Sequence, residues 1–144
     1  MKINPSVRKQ TPYKKALPMP NKESKPYWDA AKKHRLVFQT CKSCGRARHY
    51  PQPACRWCGS FDYTWKEYKG GGKVYAWTVV HQCPTPGFAD EVPYNIVVVE
   101  LDNGVRISST LRDADRKHLK KGQPVKLAWE DVTPEYSLPV FEPV

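Results

Sequence analysis

Two cysteine pairs constrain this chain more than any other feature: Cys41-Lys42-Ser43-Cys44-Gly45 and Cys55-Arg56-Trp57-Cys58-Gly59, with ten residues between Cys44 and Cys55. A two-residue gap lets both thiolates of a pair face one ion from a tight turn. The glycine that follows permits a backbone conformation that turns amide N–H groups toward sulfur. Two such turns supply four ligands at tetrahedral angles. Cys41, Cys44, Cys55 and Cys58 therefore read as metal ligands, with zinc ahead of iron. Four thiolates close the shell and leave no position for an activated water, so the expected role is structural. A metal of this kind contributes on the order of 10 kcal/mol to the folding of a unit with little core of its own. His49 lies between the pairs, but four cysteines suffice without it. Cys83 has no nearby partner and reads as an ordinary half-buried thiol, although His81 would share its strand face.

The pairs sit in a basic half. Residues 1–73 carry a net charge of +13 and residues 74–144 a net charge of −3, within a total of +10 over 144 residues. A basic front suits an anionic partner: nucleic acid, a phosphorylated ligand or an acidic protein surface. No apolar run approaches the ~20 residues of a membrane span, since the longest, Ile96 to Val99, is only strand-length. The opening MKINPSVRKQ lacks the apolar stretch of a secretory signal, so a cytoplasmic setting is expected, where disulfides are disfavoured.

The fold class expected is mainly β. With 14 prolines, an all-helical fold is disfavoured. Residues 1–23 mix Pro5, Pro12, Pro18 and Pro20 with lysine and arginine and show no helical or strand period. They form a basic extended arm, either a solvated tail or a segment that orders on a partner. Residues 24–69 make a helix plus zinc ribbon. In SKPYWDAAKKHR, Ser24 can cap, Pro26 suits a first turn, and Tyr27, Trp28 and Ala31 share a face. Leu36-Val37-Phe38 is a strand leading into Cys41. Gly70-Gly71-Gly72 is a flexible break. Residues 70–144 then read as an OB-fold domain of five strands. These begin with Val74–Val80, then Tyr94–Leu101, an Asp102-Asn103-Gly104 turn and Val105–Leu111. A single helical turn is expected over 113–119, followed by Val125–Glu130 and a short edge strand at Leu138–Phe141.

Nucleophile-elbow, metalloprotease, phosphate-loop and dinucleotide-binding signatures are all missing, and no acid/base carboxylate pair stands out. The sequence points to a binding module. One class is single-stranded nucleic-acid binding, with Tyr75, Trp77 and Trp129 stacking bases on an OB sheet. Strand aromatics ordinarily serve the core, and at least two of these three are expected there. The other class is binding of an acyl thioester, or of an enzyme that uses one, since coenzyme A is equally anionic.

The order of parts resembles a known family. It runs from Pro26-Tyr27-Trp28 through the strand 36–41 and its first knuckle to Tyr50-Pro51-Gln52-Pro53 and the second knuckle. A glycine break, Lys73-Val74-Tyr75-Ala76-Trp77-Thr78, the run 94–106 and Lys121-Gly122-Gln123-Pro124-Val125 follow. This is similar to the acyl-CoA-associated family with a rubredoxin-like zinc ribbon and a C-terminal OB fold, over about residues 24–142. The resemblance implies a non-catalytic accessory subunit of a thiolase-superfamily enzyme. Such partners include archaeal acetoacetyl-CoA thiolase, phloroglucinol acetyltransferases, steroid side-chain aldolases and hydratases, and the thiolase of anaerobic toluene degradation. The partner carries the catalytic residues, and the family's four metal cysteines match Cys41, Cys44, Cys55 and Cys58. Lys42, Arg46, Arg48, Arg56 and Arg106 are then candidates to meet CoA phosphates or the partner.

Overall fold

A computed structural model describes residues 13–82, 85–114 and 119–144. The expectations for residues 1–12, for Cys83 and for most of the turn at 113–119 fall outside them. Helix α1 (Lys25–Lys32) is followed by β1 (Leu36–Cys41), β2 (Ala47–Arg48) and β3 (Tyr63–Tyr68). The second half contains β4 (Gly72–Val80), a short 3-10 turn (Pro86–Phe88), β5 (Tyr94–Leu101), β6 (Arg106–Ser109), β7 (Pro124–Asp131) and β8 (Ser137–Pro143).

The first three strands form an antiparallel sheet in the order β2-β1-β3. Its middle strand is buried along its whole length. Leu36 and Phe38 join Tyr27 of α1 in the main core. Gln39 and Cys41 alternate to the opposite face, toward the knuckles. The helix buries Tyr27 and Ala31, as its apolar face requires. Ser24 does not cap the helix amides. Its hydroxyl accepts from the Asn21 amide at 3.0 Å, while its own amide donates to Asn21 Oδ1 at 2.9 Å, a reciprocal lock that spends the side chain one turn earlier.

The other five strands run β6-β5-β4-β7-β8 and curl until the two edges meet. Leu111 bridges to Phe141 in parallel, Phe141 N–H donates to the Thr110 carbonyl at 3.0 Å, and Ser109 Oγ donates to the Pro139 carbonyl at 2.7 Å. The result is a near-closed five-stranded OB-type barrel. Pro139 sits on edge strand β8, where its missing N–H costs no ladder bond. Inside lie Val74, Val97, Val99, Leu101, Ile107, Val125 and Phe141, continuous with Tyr27, Leu36 and Phe38. One core thus serves both halves.

Two expectations need correction here. The glycine break is closely packed. A Cβ on Gly72 would sit 2.6 Å from Val99 Cγ1 and 3.0 Å from the Glu100 carbonyl oxygen. The Tyr68 hydroxyl donates to the Gly71 carbonyl and accepts from the Asp102 amide, fastening the segment to the β5–β6 hairpin. The strand aromatics also fail to fill the core. A bulge between Val74 and Ala76 re-aims Tyr75, and β4 pairs with β7 only at Gly72 and Lys73. Tyr75 and Trp77 are left 39% and 42% exposed, while Trp129 packs against the core.

The described end of the arm lies on its own chain. Lys15 pairs with Glu91 at 2.8 Å and sits over the Phe88 ring, and Lys14 lies 3.6 Å from Asp90.

Candidate metal centre

The two knuckles fold alike. The Gly45 amide donates to the Cys41 carbonyl at 2.9 Å, and the Gly59 amide to the Cys55 carbonyl at 2.8 Å. Both glycines adopt a positive φ, 76° and 78°, which a side chain would strain. Cys41 N–H donates to the Arg46 carbonyl at 3.0 Å and Cys55 N–H to the Ser60 carbonyl at 2.8 Å, closing each turn. Ser43 Oγ donates to Ser60 Oγ at 2.9 Å and ties the two turns together.

These turns bring the four sulfurs of Cys41, Cys44, Cys55 and Cys58 within 4.8 Å of one another. Cys41–Cys58 and Cys44–Cys55 are each 3.6 Å apart. That is far beyond the ~2.05 Å of a disulfide. It is close to the ~3.8 Å edge of a tetrahedron with metal–sulfur bonds of ~2.3 Å. The donor set is chemically that of zinc, and it is complete with four protein ligands. The electrostatics prepare it. The Cys44 amide, followed by that of Ser43, holds the Cys41 thiol down to about 6 despite burial. The Cys58 and Trp57 amides likewise lower Cys55. At Cys58 the lowering by the Ser60 amide is outweighed by the Cys41 sulfur, burial and the Cys55 sulfur, which push it up to about 11. The first protons leave readily and the accumulated negative charge opposes the last. A divalent cation removes that opposition.

His49 is not part of the sulfur cluster. It is half-buried against Tyr27, Phe38 and Tyr50, with ring centroids 5.2, 5.7 and 5.4 Å away. Burial holds it neutral, lowered to about 4.

The cationic candidates separate. Lys42, Arg46 and Arg56 are exposed on the knuckles. Arg46 and Arg56 flank the Trp57 ring at 5.4 and 4.3 Å, and that ring is 41% exposed. Arg106 lies 3.8 Å over Tyr75 and pairs with Glu100 at 2.8 Å, with Lys121 5.6 Å from the same ring. Beside the first cluster runs a cleft of about 570 Å³, whose lining includes Arg46, Trp57, Lys66, Tyr68 and the hairpin tip Asn103-Gly104. Arg48 departs from the expectation of a surface cation, since only 3% of it is exposed. Its Nε donates to Gln39 Oε1 at 3.0 Å, its Nη2 to the Gln52 carbonyl at 3.0 Å, and it stacks on Tyr63. It cannot reach an external phosphate.

Sequence reasoning missed Trp57, Tyr75 and Lys121 as partners of these cations, and β3 as the strand that completes the ribbon. The period-two aromatics Tyr63 and Trp65 were the available signal for β3.

Comparison with known proteins agrees with this architecture. Residues 28–64 match the ChsH2 rubredoxin-like zinc ribbon domain and residues 65–130 the ChsH2 C-terminal OB-fold domain. A probable enoyl-CoA hydratase alpha subunit of Thermomonospora curvata is 40% identical over 99% of this chain, which spans only 46% of that protein. A DUF35 domain-containing scaffold protein of Pyrococcus furiosus is 31% identical, with 70% of this chain and 74% of that protein covered. Among solved structures, a chain of the Ltp2-ChsH2(DUF35) aldolase superposes with a TM-score of 0.79 at 41% identity, covering 88% of this chain and 98% of that one. No helix among the described residues is long and apolar enough to cross a membrane. With its four-cysteine zinc ribbon joined to an OB barrel, the chain belongs to the ChsH2/DUF35 family.

Proposed function

We propose that this chain is a non-catalytic subunit of a cytoplasmic acyl-CoA enzyme, and that its partner is a thiolase-superfamily subunit. The partner performs Claisen condensation or its thiolytic reversal, and this chain docks against it and supports its activity. The observation that carries the reading is the closed four-sulfur centre. A zinc held by four thiolates has no site for substrate or water, which fits a scaffold rather than a reaction centre. The names of the relatives point the same way, being a hydratase subunit, a scaffold protein and one chain of a two-component aldolase.

In this reading the ribbon (24–69) and the barrel (70–144) present one docking face. Trp57 between Arg46 and Arg56, and Tyr75 between Arg106 and Lys121, are residue types that anchor interfaces. The same cations, with Lys42, would draw in the adenosine 3′-phosphate and pyrophosphate of a CoA ester.

The test is coexpression with the Ltp2-type aldolase subunit and, in turn, with the thiolase subunit of anaerobic toluene degradation. The chain is expected to copurify with one of them. Trp57→Ala and Arg56→Glu are expected to weaken that complex at least about tenfold. A wild-type chain that remains alone with both would defeat the reading. The exposure of Tyr75 and Trp77 on an OB sheet favours a second reading, single-stranded nucleic-acid binding. Tight binding of an oligonucleotide that weakens steeply with salt would support it instead.

A further inference from the structure

Arg48 is a buried charge in need of a counter-charge. It is 97% buried by the complement of its 3% exposure. Two of its nitrogens donate to neutral oxygens, those of Gln39 and Gln52, and the third, Nη1, has no partner. The neighbouring Gln39 Nε2 is also unpartnered. Among the described residues no carboxylate pairs with Arg48. Neutral hydrogen bonds satisfy donors but do not balance a charge taken out of water.

The sheet puts the sulfur cluster on the same face. Arg48 stands opposite Gln39, and Tyr63 stands opposite Cys41. Residues opposite one another in an antiparallel ladder share a face, as do positions two apart on a strand. Gln39, Arg48, Cys41 and Tyr63 therefore occupy one face of the ribbon sheet. The guanidinium lies 5.1 Å from the Tyr63 ring centroid, so it leans along that face toward the row that holds Cys41. The metal cluster begins at Cys41. Four thiolates around a divalent cation carry a formal charge of roughly −2.

We propose that Arg48 is the buried counter-charge of the tetrathiolate centre. It touches no sulfur in a hydrogen bond. It acts through the low-dielectric interior, lowering the cost of assembling four thiolates and thereby slowing metal loss. In return the metal centre stabilises the buried guanidinium. Arg48 is thus a positioning residue for the metal, which accounts for an arginine where an interior would otherwise take an apolar side chain.

The experiment uses the full zinc-loaded chain in excess EDTA, with zinc release followed over time. Arg48→Met, which keeps the stem and loses the charge, is expected to release zinc about 10–100-fold faster. Arg48→Lys, which keeps the charge and loses the planar fork, is expected to stay within about threefold of the parent. A second readout separates charge from packing. The chain is refolded with iron in the four-cysteine site and its ferric/ferrous potential is measured. Reduction adds one negative charge to the cluster, so a nearby cation favours the ferrous form. Arg48→Met should shift the potential to more negative values, and Arg48→Lys should not. A folded Arg48→Met protein with parental zinc release and potential would overturn the proposal. So would an Arg48→Lys protein that matches Arg48→Met in both. If Arg48→Met fails to fold, Arg48→Lys decides: parental behaviour supports the charge, and failure to fold assigns Arg48 to its hydrogen bonds alone.

Discussion

The ribbon has three strands and the barrel five, and the two are held in different ways. The barrel buries Val97, Val99, Leu101, Ile107, Leu111, Val125 and Phe141, an interior of apolar side chains. On the face it turns away from the barrel, the ribbon buries Gln39, Arg48, Cys41 and Cys55 instead. An apolar core gains free energy in proportion to area removed from water. Three short strands cannot enclose enough of it, and a metal supplies the deficit through a few directional bonds. The two halves are nonetheless coupled, because Leu36 and Phe38 of β1 complete the barrel's core. The ribbon sheet therefore has a metal-held face and a core-held face.

The strongest way to break this comparison is to remove the metal. Chelation is expected to withdraw on the order of 10 kcal/mol from the ribbon. Amide exchange should show protection lost across residues 36–68 first, with Val97, Val99 and Ile107 still protected. Equal loss in both halves would mean that the shared core alone makes them one cooperative unit. Truncation of the barrel interior should act in the opposite sense. Phe141→Ala removes a fully buried ring and is expected to cost about 3–5 kcal/mol by urea denaturation. Zinc release from the still-folded protein should hardly change.

His49 sharpens the picture at the junction. Its folded pKa is about 4, below the usual 6.5, because burial disfavours the charged ring. The unfolded chain therefore takes up a proton near pH 6.5 that the folded chain refuses. The stability tied to neutral His49 is complete above that pH and is lost as pH falls toward 4, about 3 kcal/mol in all. Thiolate protonation adds its own acid sensitivity, so the comparison is between the parent and His49→Phe, measured by denaturation at pH 7.5 and 4.5. The variant should lose less stability across that interval. The smallest effect belongs to the exposed helix surface. Lys25 and Asp29 pair at 2.6 Å at i,i+4, and Lys25→Ala should cost only about 0.3–0.5 kcal/mol, a small change in thermal midpoint.

The legible parts were those fixed by local spacing. Cys41, Cys44, Cys55 and Cys58 declare their cluster through a two-residue gap and a following glycine, because the knuckle is built from neighbours in sequence. The Asp102-Asn103-Gly104 turn and the flanking strands β5 and β6 read directly for the same reason. What stayed hidden depends on distant pairing. Arg48 looks like any surface cation until β2 places it across from Gln39 inside the ribbon. Tyr75 reads as core until a bulge re-aims it. The triple glycine reads as slack, yet Gly72 is required by the approach of Val99 and Glu100 from a strand more than twenty residues away. The aromatic–cation clusters around Trp57 and Tyr75 combine side chains from separate turns, which no linear pattern announces.

The central proposal is that this chain is non-catalytic and serves a catalytic subunit. The direct measurement is turnover of an acyl-CoA thioester in the thiolytic or condensing direction. It compares this chain alone, the thiolase-superfamily subunit alone and the two coexpressed. No turnover by this chain alone, with the pair exceeding the catalytic subunit alone, is the predicted result. Turnover by this chain alone, or a catalytic subunit fully active without it, would contradict the account.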